Sequence, residues 1–260
     1  MLKVAISPRF GLRYLWLKEP TGRQEFALAE GHPLAIAEAL SSLLVSISPV
    51  QFQHLNLSDR DRILATVFSH CFGDAVETVL KCAQCEKPFE LGFSLGEFLE
   101  ELATPEHATP EEATLVPNNQ GIFTLNPGVK FRLPTVRDEI ESADLSPDSA
   151  AVYLMERCLV EGCIEKDASV VEDAMQRLAP LLRTELSSNC PHCGQSHRVD
   201  FDLMSFSQRC FERDIAMLSR EIHCLASAYR FGYEEILDMP RSVRQRLTSL
   251  LLGQRTAGAA

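Results

Sequence analysis

Two cysteine pairs of the form Cys-x-x-Cys, Cys82/Cys85 and Cys190/Cys193, constrain this chain more than any other feature. Each leads directly into an alternating apolar stretch, Phe89-Glu-Leu-Gly-Phe93 after the first and Val199-Asp-Phe-Asp-Leu203 after the second. In a zinc-ribbon half, a tight turn presents two thiolates and a strand leaves the turn. A closed structural zinc site needs four ligands in a tetrahedron, and two such turns supply four. Their separation is the unusual part. Between Cys85 and Cys190 lie 104 residues, against fewer than about 20 in a compact ribbon. One ion shared by both pairs ties distant parts of the chain together. Two separate sites, or thiols holding no metal, are the alternatives.

A thioredoxin-like redox pair sits at a strand-to-helix junction with its first thiolate on the helix N-terminus. Both pairs here run into strand-like sequence, which favours metal. Lys81 and Arg198 stand near the cysteines and can offset the negative charge of a tetrathiolate, while His192 and His197 are alternative ligands. Cys158 and Cys163, five apart across a helix end, read as small buried apolar residues rather than a second metal site. Cys210 and Cys224 fit helix packing equally well, and His223 reads as a satisfied helix histidine.

Nothing points to catalysis. A four-cysteine zinc site leaves no coordination position for water. The chain carries no Gly-rich phosphate loop, no Gly-x-Ser-x-Gly and no His-Glu-x-x-His. Asp59, Asp61 and Asp74 could be imagined as a carboxylate cluster, but capping and turn roles account for the first two. No catalytic residue is assigned, and the protein is not expected to be an enzyme.

At 260 residues the chain can bury one large core or two smaller ones. A net charge of −11 and a pI near 5.1 argue against nucleic acid as the main partner, because phosphate binding is driven by Lys and Arg. No apolar run approaches the roughly 18 residues that suggest a membrane span, so membrane insertion is not expected. Nine cysteines behind an N-terminus without an export signal point to reduced thiols in a cytoplasm.

The organisation reads as six segments. Residues 1–30 form an N-terminal β-hairpin region around Glu19-Pro-Thr-Gly22, with Glu25 to Leu28 extended. Residues 31–103 are helical and carry the first knuckle, with a helix over 33–46 and a second capped by Ser58 and closed by Gly73. Residues 104–120, with Pro105, Pro110 and Pro117, read as an acidic loop. Residues 121–202 hold a hairpin through Asn126-Pro-Gly128, a helix from Ser146-Pro-Asp148 closed by Gly162, a helix over 169–187 with a break at Pro180, and the second knuckle. Residues 203–252 form a C-terminal helix pair broken at Gly232, and 253–260 a disordered tail.

In that helix pair, Phe211, Ile215, Leu218, Ile222, Leu225 and Tyr229 step by four and three, a coiled-coil-like seam. Arg241, Arg244 and Arg246, with Arg230 one helix earlier, are the only concentrated basic feature. The seam and the three arginines are the candidate partner-binding residues. The bland readings are intramolecular core for the seam and a solvated face for the arginines.

Several segments, taken in order, resemble the T4-type baseplate proteins of contractile phage tails and related injection systems, a group that includes the baseplate hub assembly chaperones. They are Leu57-Ser-Asp-Arg-Asp-Arg-Ile-Leu64 with Phe72-Gly-Asp74 and the first knuckle; Phe131-Arg-Leu-Pro-Thr135 with Val136-Arg-Asp138; Cys158 with Glu161-Gly162; Cys190-Pro-His-Cys-Gly194 with Val199-Asp-Phe-Asp202; and Arg220-Glu-Ile-His-Cys-Leu-Ala226 followed by Tyr229 to Arg241. The resemblance implies a structural component or assembly factor whose partners are other baseplate, hub or spike proteins. It implies assembly in the cytoplasm and leaves open retention in the finished tail.

The expected fold is α+β and mostly helical, with short β-hairpins, a split zinc-ribbon-like element and a C-terminal αα-hairpin. One structural Zn2+ is expected on Cys82, Cys85, Cys190 and Cys193. The other reading of the residues is a zinc-ribbon adaptor or regulatory protein that touches nucleic acid.

Overall fold

The computed structural model describes residues 1–6, 14–103 and 115–257. In chain order the elements are β1 (Leu2–Ala5), β2 (Tyr14–Leu17), α1 (Gly22–Glu30), α2 (Pro33–Leu43), α3 (Pro49–Gln53), α4 (Leu57–Phe72), β3 (Ala75–Lys81), β4 (Pro88–Ser94) and α5 (Leu95–Ala103). There follow β5 (Ile122–Asn126), β6 (Val129–Arg132), α6 (Val136–Ser142), α7 (Pro147–Cys158), β7 (Leu159–Glu161), α8 (Ile164–Leu178), β8 (Arg183–Asn189) and β9 (Ser196–Asp202). Helices α9 (Leu203–Tyr229), α10 (Tyr233–Leu237) and α11 (Arg241–Ala257) complete the chain. The fold is α+β and mostly helical; β1 pairs with β2, and β3–β4, β5–β6–β7 and β8–β9 are small antiparallel sheets. Most of the expected 104–120 loop and the last residues of the expected tail lie outside the described residues.

The chain divides into two compact units that are not contiguous in sequence. One combines Met1–Val4 and Leu15–Pro49 with everything from Met204 onward; the other is built chiefly from Val50–Leu203.

In the first unit, Glu25 to Leu28 are helical, not extended. The reason lies in Thr21 and Gln24, whose three-residue spacing is a capping-box signature. The Thr21 N–H donates to Gln24 Oε1 at 3.0 Å. Gly31, at φ 77°, ends the helix in the left-handed conformation. Helix α1 carries Glu25, which is buried with Arg241 and Arg244 of α11. Arg244 Nη2 donates to both Glu25 oxygens, at 2.7 and 2.9 Å, and Arg244 Nε donates to Glu221 of α9 at 2.6 Å. Arg241 Nη1 joins Glu25 at 2.8 Å and Asp214 of α9 at 2.6 Å. These ion pairs join residues from the two ends of the chain. The expected second C-terminal helix is two, α10 and α11, separated where Pro240 breaks the ladder. Helix α11 also runs on into the expected tail, to Ala257.

In the second unit the cap of α4 is Asn56, whose Oδ1 accepts from the Asp59 N–H at 2.9 Å. Ser58 instead donates to the Pro180 carbonyl at 2.7 Å, and Asp61 accepts from the Leu182 N–H at 3.0 Å. Pro180 ends the preceding helix: α8 stops at Leu178 and the chain continues as β8. Likewise Cys158 is followed by a strand, β7, which pairs with β6 before Gly162 turns the chain. Sheet β5–β6–β7 packs Phe123 on Phe131 (centroids 5.4 Å) over Met155, Val171 and Ala174. Behind β6, Asp138 caps α6 through the Thr135 N–H (2.8 Å) and receives Arg132 at 2.6 and 2.8 Å. Burial pushes the Asp138 carboxyl up, but the Arg132 and Thr135 hydrogen bonds outweigh it and hold the group well below the usual carboxylate range.

Two outcomes are expected from these buried charges. Arg244→Ala takes the guanidinium from buried Glu221 and leaves Glu25 with Arg241 alone, and should lower stability in urea by about 3–5 kcal/mol, whereas Arg246→Ala, exposed on the same helix, should change it by less than about 0.5 kcal/mol. Because the folded Asp138 pKa is depressed, its contribution is present above the unfolded value of about 3.9 and fades as pH falls below that. Asp138→Asn should therefore lose less urea stability between neutral pH and pH 3 than the natural chain does.

Candidate metal centre

Each cysteine pair sits at the tip of a hairpin. Strands β3 and β4 pair from Ala75↔Ser94 to Lys81↔Pro88, and β8 and β9 from Arg183↔Asp202 to Asn189↔Ser196. The two tips are built alike. The Cys82 N–H donates to Lys87 O (3.0 Å) and the Glu86 N–H to Cys82 O (2.9 Å). In the second tip the Cys190 N–H donates to Gln195 O (2.8 Å) and the Gly194 N–H to Cys190 O (2.9 Å). Glu86 (φ 58°) and Gly194 (φ 75°) take the same left-handed turn position. At the other end of each hairpin the first residue beyond the return strand donates back, Leu95 to Asp74 O and Leu203 to Leu182 O.

The tips meet. Sulfurs of Cys82 and Cys193 are 3.6 Å apart, those of Cys85 and Cys190 are 3.7 Å apart, and all four lie within 4.8 Å of one another. A tetrahedral zinc with Zn–S of about 2.3 Å sets its sulfurs about 3.8 Å apart, so the donor set fits zinc. Cys82 and Cys190 are buried, Cys85 is half-buried and Cys193 is exposed. Four thiolates this close repel, and only a cation lets all of them ionise together. The sulfurs accordingly differ. The N–H of Cys85, helped by Gln84 and His197, lowers the Cys82 thiol to about 6. At Cys193 the Gln195 N–H lowers the thiol, but the three neighbouring sulfurs outweigh it and raise it to about 12.

One constant spacing relates the hairpins: every position in the first has its counterpart 108 residues later. Cys82 corresponds to Cys190, Cys85 to Cys193, Phe93 to Phe201 and Leu95 to Leu203. The contacts obey that correspondence as a local twofold does. Exchanging the hairpins turns the Cys82–Cys193 contact into the Cys85–Cys190 contact, and Phe93 packs edge-on against its own counterpart Phe201 (centroids 4.9 Å). The sequence signal was there, in Phe93/Phe201 and Leu95/Leu203 at the cysteine spacing, but one aromatic and one aliphatic match do not stand out unaided.

Of the other candidates, His192 is exposed and outside the four-sulfur group. His197 is also outside that group, but its Nε2 lies 3.3 Å from Cys82 Sγ. Lys81 pairs with Glu86 (3.9 Å) and Arg198 with Glu185 (3.4 Å), so both cations are engaged by neighbouring carboxylates. Cys158 is buried, its thiol pushed up to about 11 by burial, while Cys163 donates to Glu165 at 2.8 Å. Among the described residues the four-cysteine cluster is the one group arranged to hold a metal.

The C-terminal candidates divide by burial. Phe211, Leu218, Leu225, Arg241 and Arg244 are buried. Ile215 and Ile222 are half-buried, and Tyr229 and Arg246 are exposed. A cleft of about 1220 Å³ in the second unit is lined by Arg132, Arg137, Arg157 and Asp138. Its arginines are committed to Asp138 and Glu141. Among the described residues, no helix is long and apolar enough to cross a membrane.

Over residues 21–175 the chain matches the family described as T4 bacteriophage base plate protein. No curated protein and no solved structure matches it. The family match includes the first knuckle and stops short of the second.

If one ion joins the tips, Cys82→Ser and Cys190→Ser should each abolish metal binding. Elemental analysis should find one zinc per natural chain and none in either variant. Two zincs per chain, each sensitive to one variant only, would split the centre into two sites.

Proposed function

Because that match spans more than half of its length, the chain belongs to the T4 bacteriophage base plate protein family, and from this we propose that it is a non-enzymatic structural component or assembly factor of the baseplate and hub of a contractile tail or tail-derived injection system. The family match carries the reading. Two features support it. The four-cysteine centre has the donor set and spacing of a closed structural site, which holds elements in place and leaves no position for a reacting molecule. Zinc there would fasten the matched region, through Cys82 and Cys85, to the second hairpin beyond it.

The protein would then work by presenting surfaces to other baseplate, hub or spike proteins. The C-terminal helices are the proposed docking element. Phe211, Leu218 and Leu225 of the seam are buried, so the surface offered would use exposed residues instead: Met217, Tyr229, Tyr233, Val243, Arg246 and Leu250. Assembly would take place in the cytoplasm.

The test is a tail gene cluster expressed with and without this chain, with particles imaged by electron microscopy and weighed by mass spectrometry. Without it, tails should lack complete baseplates. The doubly substituted Tyr229→Asp/Leu250→Asp chain should rescue poorly while keeping its zinc. The presence of the chain in finished particles identifies a subunit, and its absence an assembly factor. Complete baseplates formed in its absence overturn the reading.

A further inference from the structure

Among the positions at which the two hairpins differ, one lies beside the sulfurs. The counterpart of Phe89 is His197, and the two rings face each other across the local twofold with centroids 5.2 Å apart. If the second hairpin repeated the first, a phenylalanine would stand at 197, as it does at 201. Phe93 and Phe201 show that a pair of phenylalanines packs well on this axis. Packing alone therefore does not call for a histidine. What the histidine adds is a nitrogen. Nε2 lies 3.3 Å from Cys82 Sγ, and the ring reaches no further into the cluster.

We propose that His197 is an outer-sphere hydrogen-bond donor to the metal centre, a positioning residue that orients the Cys82 thiolate and disperses part of its charge. This rests on the reading that the four cysteines hold a zinc. A tetrathiolate zinc carries a net charge of −2, and a metal-bound thiolate can only accept hydrogen bonds. Nε2 must then carry the hydrogen and point it at sulfur. The nearby cations Lys81 and Arg198 stand against Glu86 and Glu185, at 3.9 and 3.4 Å, whereas the His197 ring is placed on the Cys82 sulfur. Cys82 is also a buried sulfur; backbone N–H groups of Cys85 and Gln84 already reach it, and His197 adds a side-chain donor to them. On the other side of the twofold, Cys190 has Phe89 in the corresponding position, a ring with no nitrogen to offer. The pseudosymmetric site is thereby made chemically asymmetric.

Outer-sphere partners of this kind are worth about 10–100-fold in metal affinity. The full-length chain is titrated with zinc against a chromophoric chelator, and in parallel with cobalt, whose sulfur-to-metal charge-transfer band reports thiolate number and charge. His197→Phe keeps a flat ring against Phe89 and removes the donor. It should bind zinc about tenfold or more weakly and shift the cobalt band. His197→Gln restores an N–H at a similar reach and should recover most of the loss, which a purely steric role would not produce. Circular dichroism of the zinc-saturated variants should match the natural chain. Equal affinity for His197→Phe and the natural chain overturns the proposal. So does a natural-chain cobalt spectrum with three thiolates instead of four, because His197 would then be a ligand. If the natural chain binds no metal, the zinc reading itself fails and takes this one with it, an outcome distinct from the other two.

Discussion

Bringing four sulfurs within 4.8 Å is the demand around which the second unit is arranged. Thiolates at that distance cannot all be charged without a cation between them, and a cation there closes the chain between Cys85 and Cys190. A cross-link around a loop of about 100 residues removes roughly 4–5 kcal/mol of unfolded-chain entropy in the simplest treatment. The segment so closed contains the three-stranded sheet, its phenylalanine core and helices α6 to α8. That sheet is small, and some of its ties, such as Asp138 with Arg132, lie close in sequence. Long-range ties come from the four-cysteine cluster, from Ser58 and Asp61 to the segment before β8, and from Arg60 to Glu139 of α6.

The centre uses symmetry economically. Two hairpins of equal length, with equal turns and equal return bonds, place two sulfurs each on either side of a local twofold. A tetrahedron has twofold axes, so one hairpin design used twice generates the whole coordination shell. Departures from the symmetry then carry information, and His197 opposite Phe89 is such a departure at a buried sulfur. Glu86 opposite Gly194 is another, and there the cost is conformational, since a residue with a side chain holds a left-handed backbone.

The first unit solves a different problem. Its parts come from the two ends of the chain, and its interior joins them through guanidinium and carboxylate groups on three helices. Arg244, with no exposed side-chain surface, donates to Glu25 and Glu221 together. Buried pairs of this kind add little net stability over apolar packing but are costly to break. Their geometric demands favour one arrangement of α1, α9 and α11.

The sequence by itself picked out the four cysteines that cluster, because Cys-x-x-Cys turns are local objects. It determined the mostly helical α+β class, the hairpin at Asn126-Pro-Gly128 and the family resemblance, again from local patterns taken in order. It misled where a local signal had a competitor. Glu25 to Leu28 alternate enough to read as a strand, yet Thr21 and Gln24 start a helix there; Ser58 is a good cap, but Asn56 lies in place first. Only the tertiary structure decided which residues meet across long stretches of chain. It put Arg241 and Arg244 inside rather than on a basic face, because Glu25 waits for them some 200 positions away. It turned two separate knuckles into one centre and showed that Phe89 and His197 share an axis. Such pairings depend on distances in space that no periodicity along the chain encodes.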